Sequence, residues 1–229
     1  MALQRISALA LIAVIIALGF APTFAGSSQE DDASAYTQSS LAAIERWEKL
    51  LYETKQEPVQ VAVYAESMLE YLTWLYEVDK LSAAMPHIKK LLGKVDVTTR
   101  FGFSHDGKTC ATISVMELKE PVFSSYSMFL ISIENRSAFA LDSSQCKLTF
   151  ALKGGETLVP EIIEQGHPLF SHLERLANTF YPPDAVAPGA TASFKAVMPA
   201  PGIDQRQLSY VLLEMGEHSV MIKFYDNLD

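Results

Sequence analysis

Two cysteines, Cys110 and Cys146, and five histidines, His87, His105, His167, His172 and His218, are the side chains best suited to nucleophilic or metal chemistry in this chain. In an oxidising compartment an even cysteine count suggests a disulfide. Strand parity complicates that pairing. Along Thr109 to Val115 the inward set is Ala111, Ile113 and Val115, which turns Cys110 outward; from Cys146 to Leu152, Cys146 shares its face with Leu148, Phe150 and Leu152 and points inward. Side chains on opposite faces meet only where a bulge or strand end shifts the parity, so both outcomes stay open. No histidine stands near either cysteine in a nucleophile motif. The closest histidine pair, His167 and His172, straddles Pro168 and does not share a helical face, as zinc-binding pairs four apart do.

The familiar catalytic signatures are missing from the sequence. There is no Gly-x-Ser-x-Gly elbow, no phosphate loop and no dinucleotide fingerprint. Gly154-Gly155 has no helix start behind it to hold phosphate. The carboxylate pairs Asp31-Asp32 and Glu161/Glu164 fall in polar, loop-like segments, and acid–base work needs a pocket around them. No catalytic residue, cofactor or metal follows from these patterns. The formal net charge is −9, and an acidic surface argues against nucleic acid and against anionic lipid headgroups as partners.

The elements that must position these groups come in two rhythms. From Ser34 to Leu92 the apolar period is helical: Leu41, Ile44, Trp47 and Leu51 in one run, then Val61, Ala65, Met68, Leu69, Leu72 and Leu75 after Glu57-Pro58, then Ile88, Leu91 and Leu92 up to Gly93. Short connections make this an antiparallel three-helix bundle. After Gly93 the period becomes two. Val95–Phe103, Thr109–Leu118, Tyr126–Glu134, Gln145–Lys153, Ala190–Met198, Leu208–Met215 and Ser219–Tyr225 read as strands, with Asp106-Gly107 and Gly216-Glu217-His218 as hairpin turns. The segment 154–189 is too long for a hairpin loop and reads as a crossover between sheets, carrying a helix over 168–180.

The run FLISIENRSAFALD, Phe129 to Asp142, with PPDAVAPGATASFKAVMP, Pro182 to Pro199, resembles the immunoglobulin-like modules of exported bacterial proteins. The likeness spans roughly Val95 to Tyr225 and is architectural. It implies an α+β chain with a C-terminal antiparallel β-sandwich, and it implies no activity. The Cys-Trp-Cys core of antibody domains is absent, since Trp47 and Trp74 both lie in the helical part.

Two surfaces stand out for binding. Met128 and Leu130, and likewise Leu208, Tyr210 and Leu212, alternate with a second apolar set on the same strands, so their sheets need cover on both faces. The N-terminal helices or a partner would supply that cover. Phe170, Leu173, Leu176, Phe180 and Tyr181 form a stripe on the crossover that packs on the sheet edge or stands out as a binding ridge. The reading is therefore a non-enzymatic binding or assembly module that contacts another envelope or secreted protein, without nucleic acid and without cofactor. Its oligomeric state is left open. Two rivals remain. One is a hydrolase of an envelope polymer, favoured by a polar pocket holding Glu161 or Glu164 beside His167 or His172. The other is a structural subunit that joins by strand addition, favoured by a flat apolar edge.

The chain begins with the pattern of a secretory leader. Arg5 supplies the positive charge, Ile6 to Phe20 an apolar run too short to span a membrane, and Thr23-Phe24-Ala25 a small-residue cleavage site. The organisation expected is a leader over 1–25, a flexible tether over 26–35, a helical domain over 36–93 and the sandwich over 94–229, with the mature chain periplasmic or secreted and lacking a membrane span. The exported product is expected to start at Gly26; an intact mass that retains Met1 would refute cleavage.

Overall fold

A computed structural model of the chain describes residues 29–53, 58–116, 121–161, 163, 166–171 and 182–225. The leader expected over 1–25 lies outside the described residues. The chain divides into two compact units, Met1–Lys55 and Gln56–Asp229. The first holds helix α1, Gln29–Glu53. It takes in the last seven residues of the expected tether, so residues 29–35 are helical backbone. Along it Ser40, Ile44, Glu48 and Leu51 form one buried stripe at steps of four, four and three.

The second unit carries helices α2, Pro58–Glu77, and α3, Ala84–Lys94, ahead of antiparallel sheets. The division thus falls at residue 55 rather than 93, and the expected bundle of three is split between the units. Pro58 opens α2 where its missing N–H costs nothing. Ala65, Met68, Leu69, Leu72 and Leu75 form its buried face, and it packs on α3 and on the first strand. No helix among the described residues is long and apolar enough to cross a membrane.

Ten strands follow among the described residues: β1 Thr99–Phe103, β2 Thr109–Met116, β3 Ser127–Asn135, β4 Leu141–Asp142, β5 Lys147–Leu152, β6 Thr157–Leu158, β7 Ala185–Val186, β8 Thr191–Met198, β9 Leu208–Met215 and β10 His218–Lys223. One sheet has the order β1-β2-β3-β8, a second β10-β9-β5-β6, and β4 pairs with β7. All the pairs are antiparallel. Each of the seven strands expected from the period-two rhythm is present. The two-residue strands β4, β6 and β7 are too short to show a rhythm.

A single buried cluster draws on both four-stranded sheets: Ile113, Phe129, Ile131, Ile133 and Phe194 from the first, Phe150, Val211, Leu213, Val220 and Ile222 from the second. Leu208 belongs to this core rather than to the outer row with Tyr210 and Leu212. The β5–β9 register pairs Ala151 with Tyr210 and Leu152 with Leu208, and the skipped residue reverses the parity.

The two sheets approach at the β1–β10 corner. A Cβ on Gly102 would lie 2.5 Å from the Met221 carbonyl oxygen, so only glycine fits there. Gly102→Ala is expected to destabilise the protein by about 1–3 kcal/mol, through backbone displacement. Urea unfolding with an unshifted midpoint would contradict this approach.

Candidate functional site

Three arrangements of polar groups lie in the second unit. The first sits where α2 covers the outer face of the first sheet. Cys110 stands between Phe103 and Glu134 in the β1–β2–β3 register, on the outward face that parity gave it. α2 brings Glu70 down onto it. Arg136, just beyond β3, donates from Nη2 to Glu70 and, at 2.9 Å, to Glu134, and its guanidinium lies 5.3 Å from the centre of the Phe103 ring. α2 is tied down elsewhere by the same residue type. Thr99 Oγ1 donates to Glu66 at 2.8 Å, Lys223 Nζ meets Glu77 at 3.1 Å, and the buried Tyr225 hydroxyl donates to Glu77 as well.

Cys110, Glu70 and Glu134 offer ligand atoms within 4.8 Å of one another, the spacing and donor types of a metal site. Arg136 already supplies the cation, bonded to both carboxylates, so a metal would have to displace it. Cys110 is 2% exposed, and burial pushes its thiol far above the thiolate range, with Arg136 only partly offsetting this. It is a neutral thiol and a poor nucleophile. Cys146 packs against the core between the sheets, its thiol raised to about 11 by burial. Both cysteines are free, and they occupy opposite faces, so the candidate disulfide between Cys110 and Cys146 is not formed.

The second arrangement is the acid–histidine pair named for the hydrolase reading. Glu161 and His167 do meet, Oε2 to Nε2 at 3.0 Å, with the Tyr126 ring 6.1 Å away, edge to face. The Leu169 N–H donates to Nδ1 at 3.1 Å, so Nδ1 is an acceptor and Nε2 carries the proton toward Glu161. A histidine working as a general base needs one ring nitrogen facing the substrate. Here both are engaged within the fold, and the pair fastens the crossover. His172 and Glu164 lie outside the described residues.

The third is the β1–β2 turn. Asp106 accepts from Ser104 Oγ at 2.6 Å and from the Lys108 N–H at 3.1 Å. These bonds, the first foremost, hold its carboxyl down at about 2. It is an Asx-type turn lock, invisible as chemistry.

The apolar candidates divide. Met128 is buried with Phe123, Ile163, Leu169 and Val197, and Phe170 packs half-buried against this cluster. The 3₁₀ turn Pro121–Phe123 and the crossover therefore cover this end of the outer face. Leu130 is half-buried in the same row. Tyr210 and Leu212 are half-buried on the outer face of the second sheet, where Leu212 pairs with the exposed Met221. Leu173, Leu176, Phe180 and Tyr181 lie outside the described residues. Sequence reasoning missed the Glu70–Arg136–Glu134 group, because residues so far apart in the chain carry no local signal of meeting.

Glu70 titrates with a definite sign. Burial raises its carboxyl more than the Arg136 hydrogen bond and charge lower it. Its favourable contribution is full below the ordinary value of 4.5 and is lost as pH rises through the raised value. Asp106 runs the other way: its contribution is present above 3.8 and lost as pH falls toward about 2. Glu70→Gln is therefore expected to lose less stability than the parent from about pH 4 to pH 7 in urea unfolding. An identical or steeper loss would contradict the placement of Glu70.

Neither a protein-family model nor a curated protein sequence matches the chain. Among solved structures, a conserved hypothetical protein from Bacillus anthracis has a TM-score of 0.30 at 7% identity, covering 56% of this chain and 100% of its own. An apag protein from Pseudomonas aeruginosa has a TM-score of 0.26 at 13% identity, over 52% of this chain and 91% of its own. The trimeric lipoprotein SadB of Salmonella enterica has a TM-score of 0.27 at 11% identity, over 85% and 98%. Likeness at this level assigns neither a fold nor an activity.

Proposed function

We propose that this chain is an exported, non-enzymatic binding or assembly module built on an immunoglobulin-like sandwich, acting through contacts with another envelope or secreted protein. The strand order supports the architectural half. β3 and β8 are neighbours in one sheet, β5 and β9 in the other, and the chain crosses between sheets from the β3–β4 region to β5 and again from β8 to β9. That interlock around a shared core is what supports the sandwich reading. The leader-like N-terminus supports export.

One observation carries the functional half. The Glu161–His167 pair, the best acid–base candidate among the described residues, has both ring nitrogens bonded internally. It braces the crossover instead of facing a substrate. The strand-addition rival gains little. Among the described residues β6 offers two residues of edge, β10 carries exposed His218 and Ser219, and the carbonyl of Val197 in β8 already accepts from the Glu161 N–H at 2.8 Å.

The test sets binding against catalysis. Chemical cross-linking in the producing cells is expected to trap a complex of fixed stoichiometry that persists through gel filtration. Incubating the purified protein with isolated envelope polymer is expected to release no soluble fragments. Fragments released by the parent and not by Glu161→Gln or His167→Asn would establish the hydrolase instead.

A further inference from the structure

Two arches meet at the end of β3. Residues 136–140 lead from β3 to β4, and 187–190 lead from β7 to β8. Asn135, 1% exposed, braces both. Its Nδ2 donates to the carbonyl oxygens of Phe139 at 2.7 Å and Val186 at 2.8 Å, and its Oδ1 accepts from the Ser137 N–H at 3.0 Å. The Gly189 N–H donates to the Asn135 carbonyl at 2.7 Å, and the Asn135 N–H to that of Ala190 at 3.0 Å. The Leu141–Val186 pairing sets Ala140 beside Ala187.

On this fixed support Phe139 is 80% exposed, the most exposed large apolar side chain among the described residues. Around it Ala138, Ala140, Ala187 and Pro188 are exposed, small and uncharged. Arg136, the one charged residue of its arch, is turned away to Glu70 and Glu134. A phenylalanine left in water forgoes the burial that a partner's pocket would supply. An aromatic among small residues, on a backbone held at both its N–H and its carbonyl, has the anatomy of an interface anchor, because little backbone freedom remains to be lost on binding.

The border of this patch is acidic. Asp142 and Asp184 are exposed beside it on the β4–β7 side, and the whole chain carries −9. A second copy would bring acid to acid, and an anionic bilayer would repel the same border. We propose that Phe139 anchors a docking surface for a different protein, which receives the ring in an apolar pocket bordered by lysine or arginine. This rests on the binding-module reading and places the contact at the arches rather than on the crossover.

The test uses a photo-reactive benzoylphenylalanine at position 138 of the full chain in the producing cells, with the same probe at positions 170 and 212 as controls. The expected result is one discrete adduct from position 138, mapped by mass spectrometry beside basic residues of another protein. The purified pair should then lose at least tenfold in affinity with Phe139→Asp, and several-fold with Asp142→Asn plus Asp184→Asn. The melting temperature of Phe139→Asp should be unchanged. Equal affinity of Phe139→Asp would overturn the proposal. So would an adduct between two copies, or sedimentation with phosphatidylglycerol vesicles that Phe139→Asp abolishes. Adducts from 170 or 212 alone would overturn it while sparing the binding-module reading; no protein adduct from any position would overturn both.

Discussion

A sheet buried on both faces must pair on its outer side the charges that its cover hides, and Arg136 does so for two carboxylates through Nη2, while its buried Nε has no hydrogen-bond partner. The inner face of β2 and β3 is filled by Ile113, Phe129, Ile131 and Ile133, and leaves no choice of side. The outer face then presents Cys110 and Glu134 to whatever lies above, and α2 lies above with Glu70. Two half-buried carboxylates so close would repel one another strongly in a low-dielectric setting. One guanidinium, bonded to both and seated on the Phe103 ring, turns that repulsion into a clasp. Glu66 and Glu77 extend the same contact toward both ends of the helix.

Much of this was legible in the sequence where the signal is periodic. The alternation of Phe129, Ile131 and Ile133 marks the core face of β3, and that of Ala111, Ile113 and Val115 turns Cys110 outward; the separation of the two thiols, left open by the sequence, is a finding of the structure. Alternation alone puts Leu208 on the outer face, whereas it lies in the core, because a bulge adds one residue to a strand and leaves no trace in hydropathy. Glu66, Glu70 and Glu77 carry no local sign in the sequence of the contacts they make. What distinguishes them is an arginine, a lysine, a threonine and a tyrosine that arrive from far along the chain. The polarity of residues 26–35 reads as a tether, yet serine and aspartate also open helices, and α1 starts at Gln29.

The search for chemistry and the outcome differ in an instructive way. The sequence singled out cysteines, histidines and carboxylates by what they do when exposed. The fold uses them for what they do when enclosed. Cys110 is a small apolar filler, His167 a two-sided hydrogen-bonding brace, and Asp106 a turn lock. Among the described residues the large apolar side chain left furthest outward is that of Phe139, an ordinary apolar letter in a turn, which no motif would select.

Asn135 carries one more consequence. Asn135-Arg136-Ser137 has the form of an N-linked glycosylation acceptor. Sugar transfer would have to reach Nδ2, and that atom is enclosed, with both its protons held by carbonyl oxygens. A folded chain therefore offers no substrate to an oligosaccharide transferase. A glycan attached earlier, to the nascent chain, would keep the two arches from closing and leave β4 and β7 unpaired.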